Sequence, residues 1–288
     1  MLKSAWMGGS TVLACALALA FQAPAQTAKQ NDANDETAAT DIMGTWVRSD
    51  QEARFQAPAS GAGPMRDDPA HPHHGHREGV NGQPDQEATP WVADLTNPVL
   101  QPWVAAALKK NAERGLSGDT VNPPFVSCRP MGVPGSLVLL ENMQLLKTPT
   151  EVTLMYQRDH QLRHIFLNVP HSKNPAPSYY GESVGHWEGD TLVVDTIGLN
   201  DKTVIDLYST PHSDAIHVVE RYHAVDGGKT LQVDFTVDDP KAFTMPWSAS
   251  VHYRKGRGSI EEIVCAENNL DVTTGKLYPI PIAAKPDF

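Results

Sequence analysis

The common catalytic signatures are missing from this 288-residue chain. It has no glycine-rich nucleotide loop, no Walker sequence, no Gly-x-Ser-x-Gly elbow, no His-Glu-x-x-His and no paired Cys-x-x-Cys ligands. The chemistries those motifs announce are therefore not expected. A Ser-His-Asp arrangement stays open, because triads are set by geometry and not by spacing. Positive charge is also short: 23 Lys and Arg stand against 34 Asp and Glu, a net charge of −11. An acidic chain is a poor partner for nucleic acid or an anionic membrane. The one apolar stretch of note is at the start, where Lys3, the run Thr11 to Phe21 and Ala23-Pro24-Ala25 read as a secretory signal peptide over residues 1–25. It is too short to span a bilayer. A lipoprotein signal at Cys15 is the rival, but Val12-Leu13-Ala14 fits a lipobox only loosely. Beyond it no run of 18 apolar residues occurs, so no integral membrane segment is expected after cleavage, and the protein is placed in the periplasm or outside the cell. Of three cysteines, Cys128 and Cys265 lie outside the signal. In an oxidising compartment they read as a disulfide, with two buried thiols as the alternative.

Residues 26–40 are polar without apolar period and read as a disordered leader. Residues 41–288 form the expected single domain. Asp41 to Val47 is the first strand. A Pro/Gly/His-rich loop follows over 56–90, carrying His71, His73, His74 and His76. Clustered imidazoles can bind metals, but a Pro/Gly-rich loop offers no fixed geometry, so it reads as a buffering patch and no metal or cofactor site is assigned. Residues 100–116 make the best helix, with Pro102 in the first turn and Gly115 near the end. Its Trp103, Ala106, Ala107 face is expected to pack on the sheet.

From Ser136 onward the pattern turns to strands. Leu137 to Leu140 and Met143 to Leu146 are short apolar runs. Four hairpins follow, with turns at 158–160, 188–190, 226–228 and 255–258. About ten strands in succession predict a mainly β fold, an antiparallel meander closed as a barrel or folded as a sandwich, with one packed helix.

Alternation sorts the strand residues into faces. Leu231, Val233, Phe235 and Val237 share an apolar face. On Ala215 to His223, Glu220 shares a face with Ile216, Val218 and Tyr222. Asp195 shares a face with Val193 and Ile197, and Arg163 with Ile165 and Leu167. Each strand thus places one charge on a largely apolar face. An interior ion pair, Arg163 with Glu220 or with Asp195, is one reading. A cavity with convergent ionisable groups is the other. The polar loop 198–214 ends in Pro211-His212-Ser213-Asp214, and His171 follows Pro170 on the preceding long loop. Both histidines are acid/base candidates.

Gly185-His186-Trp187-Glu188-Gly189-Asp190-Thr191-Leu192-Val193-Val194-Asp195, Gly198-Leu199-Asn200-Asp201, His212-Ser213, Glu220-Arg221-Tyr222 and Asp238-Asp239-Pro240 together resemble a large family of secreted bacterial proteins, mostly uncharacterised. The resemblance runs from Cys128 to Asn268 and implies boundaries and fold rather than an activity. Gly44-Thr45-Trp46 is similar to the Gly-x-Trp first strand of lipocalin-like barrels.

The expected function is that of a cofactor-free acid/base enzyme, a lyase, isomerase or hydrolase, acting on an apolar or aromatic small molecule. His212, Asp195 or Glu220 would take a proton, and Arg163, Tyr156 or His171 would stabilise negative charge. Tyr180, Trp187, Tyr222 and Trp247 are the substrate-binding candidates. A lipocalin-type carrier without chemistry is the alternative, and a His-rich metal-binding protein the third. Oligomerisation is left open.

Overall fold

The computed structural model describes residues 42–49, 53–75, 86, 88–119, 123–257 and 260–267. The signal peptide, the leader and His76 lie outside the described residues. Nine strands close into one barrel: β1 (Gly44–Arg48), β2 (Met143–Lys147), β3 (Glu151–Tyr156), β4 (Leu162–Leu167), β5 (Glu182–Glu188), β6 (Thr191–Ile197), β7 (His217–Val225), β8 (Thr230–Asp238) and β9 (Trp247–Lys255). Each pairs with its neighbour in sequence, and β9 returns to β1 with Arg48 opposite Tyr253. The fold is mainly β, and α1 (Pro102–Leu116) is the one complete helix among the described residues.

The period-2 pattern sets the inside. Trp46, Leu145, Leu154, Ile165, Val194, Val218, Val233 and Val251 are all fully buried, and the inward residues join in one contiguous apolar cluster. Three of the expected hairpins form. The β3/β4 turn places Asp159 and His160 at positive φ, 52° and 45°, the conformation that a tight right-twisted hairpin requires of both central residues. The β5/β6 turn uses Gly189 at φ +64°.

The fourth hairpin does not form. β9 spends one edge on β8 and the other on β1, so the chain after Lys255 has no open edge to pair with. Residues 260–267 instead run past the β3/β4 turn, where Ile263 bridges Arg158, and end in a 3-10 turn at Cys265–Glu267. Cys265 is bonded to Cys128, with Cα atoms 5.5 Å apart across a sequence separation of 137, as the cysteine count suggested. Leu137 to Leu140 is not a strand either. Gly135–Val138 forms a buried 3-10 turn whose N–H groups bond locally, Ser136 to Gly132 O and Leu137 to Pro134 O, both at 2.8 Å. It caps the barrel interior: Leu137 O accepts from Arg48 Nη1 and from Tyr253 Oη at 3.2 Å.

The helix is where the sequence places it, but it turns a different face inward. Val104 and Leu108 are buried and Trp103 stays 44% exposed, its indole N–H donating to Lys241 O at 2.7 Å. The apolar pair four residues apart outweighs the single large ring. The 56–90 segment, where described, is fastened rather than free. Asp67 accepts from Arg54 at 2.5 Å, from the His73 backbone at 3.0 Å and from Tyr208 Oη at 2.7 Å. The His73 ring stacks on Trp91 at 3.6 Å.

Candidate functional site

One pairing in the barrel departs from the meander. β4 and β5 run parallel, and parallel neighbours need a crossover instead of a hairpin. Residues 168–181 supply it, returning along the outside of the barrel. The parallel ladder is short: only Ile165, Phe166 and Leu167 meet Ser183, Val184 and Gly185. Leu162, Arg163 and His164 therefore lie beyond the paired stretch. A cleft of about 530 Å³ opens there. Leu162, Phe166, Pro175 and Tyr179 give it apolar walls; Tyr180 and Glu182 stand at its side, and buried Arg163 and Ser183 lie beneath. Leu162 and Phe166 are about half exposed, at 48% and 46%.

Under the cleft is the interior ion pair that alternation suggested. Arg163 Nη1 donates to Glu220 Oε1 at 3.0 Å, and Nη2 donates to Glu220 Oε2. The remaining N–H groups are used as well: Nε to Ser183 Oγ at 3.1 Å, Nη2 to Thr196 Oγ1 at 2.8 Å and Nη1 to Tyr222 Oη at 3.4 Å. Tyr222 in turn donates to Glu220 Oε1 at 2.7 Å. Burial and the Glu220 charge push the Tyr222 hydroxyl up, which keeps it a donor. All five guanidinium N–H groups have acceptors. A bidentate pair with every donor satisfied, 1% and 0% exposed, is built to hold strands β4, β6 and β7 together. Its carboxylate is occupied on both oxygens. Tyr156 Oη is different: it is buried with no hydrogen bond of normal geometry, although Arg163 and Glu220 are close enough to act on it. Burial first, then the charge on Glu220, push it up to about 12, and Arg163 offsets this only in part.

Asp195 does not reach the interior. It faces outward on β6, while Leu192, Val194 and Thr196 are the buried residues. The apolar company of Val193 and Ile197 misleads here, because the outer face is itself partly covered. The crossover passes close by, with Ser178 bridging Leu199 and Pro175 packed at Gly198. Asp195 lies between Val184 and Val219 in register, with Glu182 and His217 two residues along on either side. The crossover adds His171. The result is a chain of four groups: His171 Nδ1 is 3.0 Å from Glu182 Oε1, His171 Nε2 is 2.9 Å from Asp195 Oδ1, and His217 Nε2 is 2.9 Å from the same oxygen. Ser172 donates to Glu182 through Oγ at 2.5 Å and through its N–H at 2.7 Å. These donors, followed by His171, hold the Glu182 carboxyl below the usual carboxylate range. Neutral imidazole has one N–H, so His171 donates to both carboxylates at once only with both ring nitrogens protonated.

The structure thus divides the sequence candidates. His171 and Asp195 meet on the outer face beside the cleft. Arg163, Glu220, Tyr156 and Tyr222 gather inside. His212 is apart from both, buried in the 198–216 loop with Nε2 2.7 Å from Thr203 Oγ1 and Nδ1 2.8 Å from Ser213 O; its burial lowers its pKa. Of the aromatic candidates only Tyr180 lines the cleft. Trp247 packs between Phe235 and Phe243 in the core, at 6.0 and 5.8 Å, and Trp187 sits near the far end of β5 under Lys147, 5.2 Å from its ring. Glu182 and His217 were not singled out from the sequence; only the β5–β6–β7 register brings them beside Asp195. Among the described residues no group of three or more His, Cys, Asp or Glu is arranged to hold a metal ion, and no helix is long and apolar enough to cross a membrane. Compared with protein-family models, with curated proteins and with solved structures, the chain matches none.

Proposed function

We propose that the protein is an acid/base enzyme acting on an apolar or aromatic small molecule bound in the β4/β5 cleft. The observation that carries this reading is the Glu182–His171–Asp195–His217 chain, which begins at a residue lining the cleft and ends at a half-exposed histidine. Histidine is the side chain whose charge changes near neutrality. Glu182 and Asp195 orient the His171 ring, as carboxylates do for catalytic imidazoles. The interior pair Arg163–Glu220 supports the site from below rather than reacting. A lyase, isomerase or hydrolase step fits a proton acceptor of this kind with no cofactor.

The alternative is a carrier that binds in the same cleft without chemistry. The contiguous filling of the barrel interior favours the flank over a central cavity for either reading. A secreted or periplasmic location, and membership of the secreted family whose sequence pattern the chain resembles, belong to the same proposal; the Cys128–Cys265 bridge is the supporting feature. The test is incubation of the purified protein with a library of small aromatic compounds, analysed by mass spectrometry. The enzyme reading expects a new product that disappears with His171→Gln. Compounds retained but unchanged would select the carrier.

A further inference from the structure

Tyr180 occupies a slot between the cleft and the interior. Its ring lies parallel to that of Tyr156, with centroids 5.6 Å apart and planes 9° apart. Its hydroxyl donates to Gln161 Oε1 at 2.6 Å and lies 3.5 Å from Ser136 Oγ, which donates to it. These are the contacts a phenol would choose: a flat aromatic partner, one acceptor and one donor. The ring is only partly buried and borders the 530 Å³ cleft, which has room to receive it. Behind the slot is the Tyr156 hydroxyl, one of the buried polar groups with no hydrogen bond of normal geometry, close to Arg163 and Glu220.

We infer that Tyr180 is a gate standing in for ligand, and that the slot on Tyr156 is a binding subsite for a phenolic ring. The inference rests on the cleft being the substrate site and names the chemical class it takes. When Tyr180 rotates into the cleft, a phenol enters in its place, stacks on Tyr156, donates to Gln161 and accepts from Ser136. A substituent on that ring pointing inward meets Tyr156 Oη, which has a hydrogen to give. The cost of displacing the gate lowers the apparent affinity by the fraction of time the gate stands open.

The experiment is a fluorine NMR titration of the full chain with 4-fluorophenol and with fluorobenzene, which has the same ring and no hydroxyl. The expected result is saturable binding of 4-fluorophenol to the wild type, about tenfold tighter than fluorobenzene for two neutral hydrogen bonds. Tyr180→Ala removes the competing ring and should tighten 4-fluorophenol at least tenfold; adding Gln161→Leu should cut the preference over fluorobenzene to about threefold, the share of the Ser136 bond. If the wild type shows no saturable binding while Tyr180→Ala binds both probes alike, the slot is a filled piece of core and the inference is overturned. Should Tyr180→Ala fail to fold, the wild-type comparison of the two probes decides alone. A catalytic His171 with no phenol binding would leave the acid/base reading standing and remove this one.

Discussion

Glu220 and Arg163 show how a charge can be read from alternation and still need geometry for its meaning. Two ions taken from water cost several kcal/mol each, and only a complete set of partners offsets that. Here the set is complete, so removing one partner leaves the other charge stranded. Glu220→Gln should cost about 3–5 kcal/mol of stability by urea unfolding. The double change Arg163→Met with Glu220→Leu should recover most of that loss, since apolar replacements of a buried pair are often neutral. His212 and Asp206 give the molecule opposing pH responses. The lowered pKa of buried His212 means that below about 6.5 the unfolded chain takes up a proton the folded chain refuses. Its contribution is therefore present above that pH and is lost as pH falls toward the folded value. Asp206 is raised to about 6 by burial; its folded form holds the extra proton between about 4 and 6 and loses that advantage as pH rises. Asp206→Asn should remove the loss of stability that accompanies rising pH between about 4 and 6 and leave the opposite His212 slope, in which stability falls as pH drops. A stability curve between pH 4 and 7 that the variant does not alter would contradict this.

At the scale of elements, the parallel β4/β5 pair matters most. Hairpin turns announce themselves through residues that tolerate positive φ, and three of the four turns read that way formed. A parallel neighbour leaves no such mark, because its crossover is only a long polar stretch in the sequence. For the same reason the outward direction of Asp195 was not readable: period-2 alternation gives two faces but does not say which one an external segment covers. The false fourth hairpin had good turn residues, yet barrel closure had already used both edges of β9. Glycines divide along the same line. Gly181 and Gly189 have nearly the same φ, +62° and +64°. A Cβ at Gly189 would meet open space, whereas at Gly181 it would lie 2.3 Å from Ile197 O. Gly189→Ala should cost about 1–2 kcal/mol for the left-handed backbone alone. Gly181→Ala should cost more and, by moving the strand next to Tyr180, weaken ligand binding in the cleft. Equal losses for the two variants would mean that the crossover is less tightly seated than the close approach requires.

At the scale of the whole molecule, barrel closure and the disulfide fix the same region from two sides. The bridge joins the segment before the capping 3-10 turn, whose Pro130 lines the cleft, to the segment that passes the β3/β4 turn. In the chain-entropy view a loop of that length stabilises by about 5 kcal/mol, and by less where the unfolded chain keeps structure. Replacing both cysteines by serine should lower the unfolding free energy by no more than that amount without changing the barrel's circular dichroism. The fold class was readable because strand period, turn residues and inward apolar faces agree along most of the chain. The candidate site was half readable: His171 and Asp195 were visible as residue types, while Glu182 and His217 join them only through register across three strands. The most direct measurement is the turnover rate of Glu182→Gln relative to wild type, on whichever compound the wild type converts, with both proteins shown to be folded. The acid/base chain predicts a loss of about 10²–10⁴-fold at nearly unchanged stability. Unchanged turnover in Glu182→Gln, with the loss appearing instead in a still-folded Glu220→Gln, would contradict it and move the chemistry inside the barrel.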